Sequence, residues 1–262
     1  MLNKLSQIDK LAGASLNGSK VDSRGVKHFN ANLPVLLQVL AKSQGSSYLL
    51  KLGNTTLQTT SHTKLEVGKS YWANMQSNHA GQIVISKLVK KPEIDELVKN
   101  MPLKLSAQDL SLLTANPKAF TQELKDFLLS QLANAAHKED FKELAFLALS
   151  LAQGVLSLVV SEDGKEQLLQ LCPKKSRNAL DFYAIFPRLG PISGSIWQEV
   201  SPKGANNEAR LCAQLAVMNE RVEEILQEHS DELGLDSVQI SSANTPKELF
   251  SLSSLCLLDV RT

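Results

Sequence analysis

The period of the apolar residues changes twice along this chain, and those changes limit what it can fold into. From Pro34 to Val89 the apolar residues fall in short runs, broken at Ser43-Gln44-Gly45, Gly53-Asn54, Gly68 and Ala80-Gly81. That pattern predicts strands at 34–40, 48–52, 55–60, 71–75 and 83–89, with Gly53-Asn54 closing a tight hairpin. Five short strands so close together point to a small closed or partly closed, OB-like β-barrel. Between Pro92 and Gln153 the period becomes helical. Ser106 and Asp109 read as an N-cap and its third-position acid. Pro117 suits a first helical position, ahead of a stripe of Phe120, Leu124, Phe127, Leu128 and Leu132. A second stripe, Phe141, Leu144, Leu147, Ala148 and Leu151, follows the polar break at 137–140, so the two helices should pack antiparallel.

Beyond Gly154 the period returns to two. Strands are expected at 155–160, 167–172, 181–186, 192–198 and 210–216, the first two joined by an Asp163-Gly164 turn. A helix over 219–233 carries Val222, Ile225, Leu226 and Leu233 on one face and ends at Gly234. Val238 and Ile240 form a last strand, and the tail adds a strand at 255–258. The expected fold class is α+β multidomain: a flexible segment over 1–30, the barrel-like domain over 31–91, a helical linker domain over 92–153, and an α+β module over 154–262. That module is read as an antiparallel sheet with one packed helix. Within the first segment, Leu2, Leu5, Ile8 and Leu11 allow one short amphipathic helix.

Composition removes several function classes. The chain is 43% apolar and 21% charged with a formal charge of +1, so it is globular and carries no global field towards nucleic acid or anionic lipid. Cys172, Cys212 and Cys256 are odd in number and far apart, unlike a metal site or a disulfide framework. No apolar run approaches the roughly 18 residues of a membrane span, and residues 1–18 lack the continuous hydrophobic stretch of a secretory signal. A cytoplasmic protein is expected, with no cofactor and no metal.

The catalytic motifs are all incomplete. Gly68-Lys69-Ser70 lacks the glycine five positions earlier that a phosphate loop needs, since Thr63 stands there, and no helix follows it. Gly190 to Gly194 carries Ile192 where a nucleophile elbow needs serine. The five histidines, His28, His62, His79, His137 and His229, include no pair spaced to share a metal. Glu223, Glu224, Glu228, Asp231 and Glu232 read as an exposed acidic helix face. A non-enzyme is expected.

One segment invites a binding role. Phe186-Pro187-Arg188-Leu189-Gly190-Pro191-Ile192 lies between two strands, where Pro187 and Gly190 bracket a stiff corner able to present Leu189 and Ile192 to a partner. The bland reading is a hairpin turn with a buried leucine. The order that follows (Pro187-Arg188-Leu189-Gly190, a strand over 192–197, a strand over 211–216, a helix ending at Gly234-Leu235, then Val238) resembles the C-terminal domain of the flagellar hook-length control family, the type III secretion substrate-specificity switch proteins. The resemblance covers about 184–241. It implies a non-catalytic protein whose C-terminal domain binds the cytosolic domain of the export-gate switch protein, among other export components. Pro187, Leu189, Gly190 and Ile192 are then the partner-binding residues. It also implies export of the protein itself through the flagellar apparatus, led by residues 1–30. Members that measure hook length carry a long Pro- or Gln-rich interval; here that interval is helical, which implies switching or assisting export without measuring. The alternative is a nucleic-acid-binding protein using Tyr48, Tyr71 and Trp72 with Lys64, Lys69, Lys87, Lys90 and Lys91 on the first domain. The absence of arginine between Gly25 and Arg177 and the habit of such rings to fill cores disfavour it.

Overall fold

The structure is a computed structural model that describes residues 2–14, 33–77, 83–91, 105, 116–162, 165–174, 176, 178–200 and 209–251. The first sheet contains β1 (Val35–Lys42), β2 (Ser47–Leu52), β3 (Thr55–Thr60), β4 (Ser70–Ser77) and β5 (Ile83–Lys90) in the order β3-β2-β1-β4-β5. All its pairs are antiparallel. The five strands stand where the turn residues put them. Among the described residues nothing pairs β3 with β5, so the sheet is not a closed barrel, and of the closed or partly closed forms expected the closed one is corrected. A strap over 61–69 seals one face instead. Its Leu65 is buried in the sheet's core, and its Leu65 and Glu66 amides donate to the hydroxyls of Tyr48 and Tyr71 at 3.3 and 3.0 Å.

Alternation holds in β1 and β2 and fails in β4, where Tyr71, Trp72, Ala73, Asn74 and Met75 are all buried. One face of β4 packs on the sheet's own core and the other on the rest of the molecule.

The second sheet has six strands: β6 (Leu156–Glu162), β7 (Lys165–Lys174), β8 (Ala179–Phe186), β9 (Gly190–Val200), β10 (Ala209–Ala216) and β11 (Ser237–Ser241), in the order β11-β10-β9-β8-β7-β6. β6 to β10 are an antiparallel meander, but β11 runs parallel to β10. An all-antiparallel sheet was expected. Parallel neighbours need a crossover, and here the helix between the strands provides it. The Asp163-Gly164 turn, the 106–109 cap and the 255–258 strand lie outside the described residues.

Four helices are found among the described residues: α1 (Leu2–Ala14), α2 (Pro117–Asn134), α3 (Lys138–Ala152) and α4 (Glu220–Glu228), the last followed by a 3-10 turn over Ser230–Leu233. Pro117 does begin α2, behind an Asn116 cap that accepts from the Ala119 amide. Asn219 caps α4 in the same way, accepting from the Val222 amide, and Gly234 closes the turn in the left-handed region at φ +69°.

Two of the expected boundaries change. Leu124, Leu128, Leu144 and Leu147 of α2 and α3 belong to the same core as the six-stranded sheet, so the helical pair is part of that module and no separate linker. Residues 2–14 form the short helix that Leu2, Leu5, Ile8 and Leu11 allow, but it is packed on α4 and the 3-10 turn and is not part of a flexible segment. Its buried residues are Leu5, Ser6, Ile8, Asp9 and Ala12, with Leu11 half exposed. Strict three-residue spacing drifts about 60° per step around a 3.6-residue helix, which rotates Leu11 away from Leu5.

Candidate functional site

Phe186 pairs with Gly190, leaving Pro187, Arg188 and Leu189 as a three-residue hairpin loop. Gly190, the paired residue that follows the loop, lies in the left-handed region at φ +76°, which glycine adopts at little steric cost. A Cβ there would also stand 3.4 Å from the ring of Pro34, beside Met218. The corner is therefore held between the start of β1 and the loop leading into α4.

Of the four residues expected to face a partner, only Pro187 is exposed. Leu189 and Ile192 are each 0% exposed and lie in the main core, and Gly190 is buried. An outward contact through Leu189 and Ile192 is thereby corrected. The loop turns leucine inward because the two sheets and α1 meet above it, and burial of both side chains outweighs their presentation to solvent.

The corner's polar groups are occupied from within the chain. The Asp9 carboxylate, 2% exposed, accepts from the backbone amides of Arg188 and Leu189 through one oxygen, both at 2.8 Å. In return, the Arg188 guanidinium donates to the Asp9 and Lys10 carbonyls of α1 at 3.2 and 2.7 Å. A carboxylate this buried costs heavily unless it is satisfied, and two successive amides meet its Oδ1. Sequence reasoning missed Asp9. The available signal was a charged residue four positions after Leu5 and one after Ile8, inside the apolar stripe.

Two further links hold the molecule together. The Asn74 side-chain amide donates to the Met218 carbonyl at 3.2 Å and its oxygen accepts from Asn219, joining β4 to the α4 loop. Lys87 donates to the Ser242 carbonyl at 2.9 Å. On the six-stranded sheet, the fully buried Gln170 accepts from the Leu249 and Phe250 amides and donates to the Phe250 carbonyl. This pins residues 247–250 across the sheet, where Phe250 meets Phe146 edge to face. Burial, and then the Lys90 and Ser251 neighbours acting against it, leave the Glu248 carboxyl above its usual range.

The weighed chemical motifs take structural roles. The Gly68 amide donates to the Val39 carbonyl, so it is not turned towards a phosphate. Ser193 accepts from the Lys247 amide. In the acidic stretch, Glu223 accepts from the Ser242 amide, Glu224 pairs with Arg221, and His229 with Glu232. Tyr48, Tyr71 and Trp72 are buried, so none offers a ring face on which a base could stack. Among the described residues, no group of His, Cys, Asp and Glu is placed to hold a metal, and no helix is long and apolar enough to cross a membrane. Leu211 on β10, 41% exposed, is the large apolar side chain that β9 to β11 and α4 leave open. Comparison with protein-family models, curated proteins and solved structures finds no match.

Proposed function

We propose that this chain is a non-enzymatic flagellar type III export protein of the substrate-switch kind, whose C-terminal module binds the cytosolic domain of the export-gate switch protein. One observation carries the reading. The Pro187-Arg188-Leu189-Gly190 hairpin is followed by β9, β10, α4, a glycine stop and β11, the order of elements that the resemblance leads one to expect. Leu189 is a core residue of that unit and not its contact. The contact is assigned to the exposed start of β10 around Leu211, with the neighbouring acidic helix steering a basic partner by raising its association rate.

The test is a pull-down of the export-gate cytosolic domain with the full chain and with Leu211→Lys. Capture by the wild type and loss in the variant are expected. No capture by the wild type would end the reading, while equal capture by both would move the contact away from β10.

A further inference from the structure

The buried face of α1 carries a carboxylate where an amphipathic helix ordinarily carries a hydrocarbon. Leu5, Ile8, Asp9 and Ala12 follow the i, i+3, i+4, i+7 pattern of one helix face, and Asp9 is as buried as its neighbours. One of its oxygens accepts from the amides of both Arg188 and Leu189. Those two amides point the same way because the hairpin must pass from Pro187 into left-handed Gly190 within three residues. Successive backbone N–H groups converging on one point form a concavity for an anionic oxygen. Arg188 adds the second half of the recognition by reaching the α1 carbonyls at Asp9 and Lys10. Apolar contacts with α4 and the 3-10 turn complete the seat.

A helix of 13 residues is marginal in water by itself. This one has no acidic residue in its first turn and no basic one in its last, so it lacks help from its own ends and depends on its seat to remain helical. Segments of this kind open locally at less cost than the sheets beneath them.

We propose that the Pro187–Gly190 corner and α4 form a receptor for an amphipathic helix bearing a carboxylate, and that α1 fills it in cis as an exchangeable latch. The occupant is residues 2–14 of this chain, and any other helix must carry an acid at the Asp9 position and displace α1 to enter. This inference rests on the contacts of α1 alone and stands whether or not the export reading does.

The probe is a labelled synthetic peptide of residues 1–14, titrated by fluorescence anisotropy into the full chain and into full-length Asp9→Ala. The variant should bind the peptide at least tenfold more tightly than the wild type, since its own α1 no longer competes at high effective concentration. A peptide carrying Asp9→Asn should lose at least tenfold. Equal affinity of the two chains for the peptide, or no binding by either, would overturn the proposal. Should Asp9→Ala fail to fold, hydrogen exchange on the wild type decides. Amides of 5–12 exchanging in a separate, faster step than those of β8 and β9 support the latch. Exchange of both in one step makes α1 a fixed part of the core and ends it.

Discussion

Tyr48, Leu65 and Tyr71 close the core of the first sheet from within one short stretch of chain. The six-stranded sheet is closed by Leu5 and Ile8 from the N-terminal helix, by Leu124 and Leu147 from the helical pair, and by Phe250 from beyond the last strand. The first arrangement is local and the second collects its cover from distant parts of the sequence. Where closure is local, turn residues and alternation are enough to place the strands. Where it is distant, a residue on the sheet surface can be wholly buried by a segment that nothing nearby announces. Leu189 is such a residue.

The sharpest way to break this contrast is Leu189→Ala. The lost transfer energy and the cavity should cost about 2–5 kcal/mol, read by urea unfolding. If the contrast holds, hydrogen exchange will rise across β8 to β10 and much less across β1 to β3. An equal rise in both sheets would mean that the first has no independent core. Gly194→Ala comes next. Its new Cβ would stand 2.2 Å from the Gln214 carbonyl and 3.0 Å from Leu215, so β9 and β10 must separate, at a cost of about 1–3 kcal/mol in thermal melts. A stability unchanged by that methyl would mean the two strands are less closely held than their register implies.

Asn74→Ala sharpens the contrast from the other side, because it cuts one link between the two parts and leaves the Met218 carbonyl without this donor. A loss of about 1 kcal/mol is expected. Calorimetry should then show the single transition broadening or dividing into two. The smallest effect belongs to Glu248→Gln. Burial raises the folded-state pKa of Glu248, so the folded form binds this proton more tightly than the unfolded chain does. Its stabilising contribution is present below the unfolded value of about 4.3 and is lost as pH rises through the raised folded value. The variant should therefore gain on the wild type as pH rises above about 4.3, through the raised folded value. Because the side chain keeps partial contact with water, the gain should stay within about 0.5 kcal/mol.

The strand positions were legible because each turn is marked by glycine or by a polar cluster, and α2 and α4 because each has an asparagine cap and a regular apolar stripe. The openness of the first sheet was not legible. Barrel closure depends on whether β3 reaches β5, which no residue in either strand declares. The parallel pairing of β11 was half legible, since a helix between two strands is the signature of a crossover. The burial of Leu189 and the role of Asp9 could not be read locally, because they are partners separated by 180 positions. Pattern reasoning looks along the chain, and this contact lies across it.

Gln170 and Phe250 stand 80 positions apart, yet one side chain gathers the backbone of both Leu249 and Phe250 onto the sheet. During synthesis the strands of the meander can pair as they emerge, but that face remains wet until residues 247–250 have left the ribosome. Closing so long a loop is slow, and a nascent chain is exposed to sticking or cleavage throughout. Residues 247–250 are thus laid over strands that precede them in the chain. A truncation before Leu249 should leave strands that form but do not keep water out.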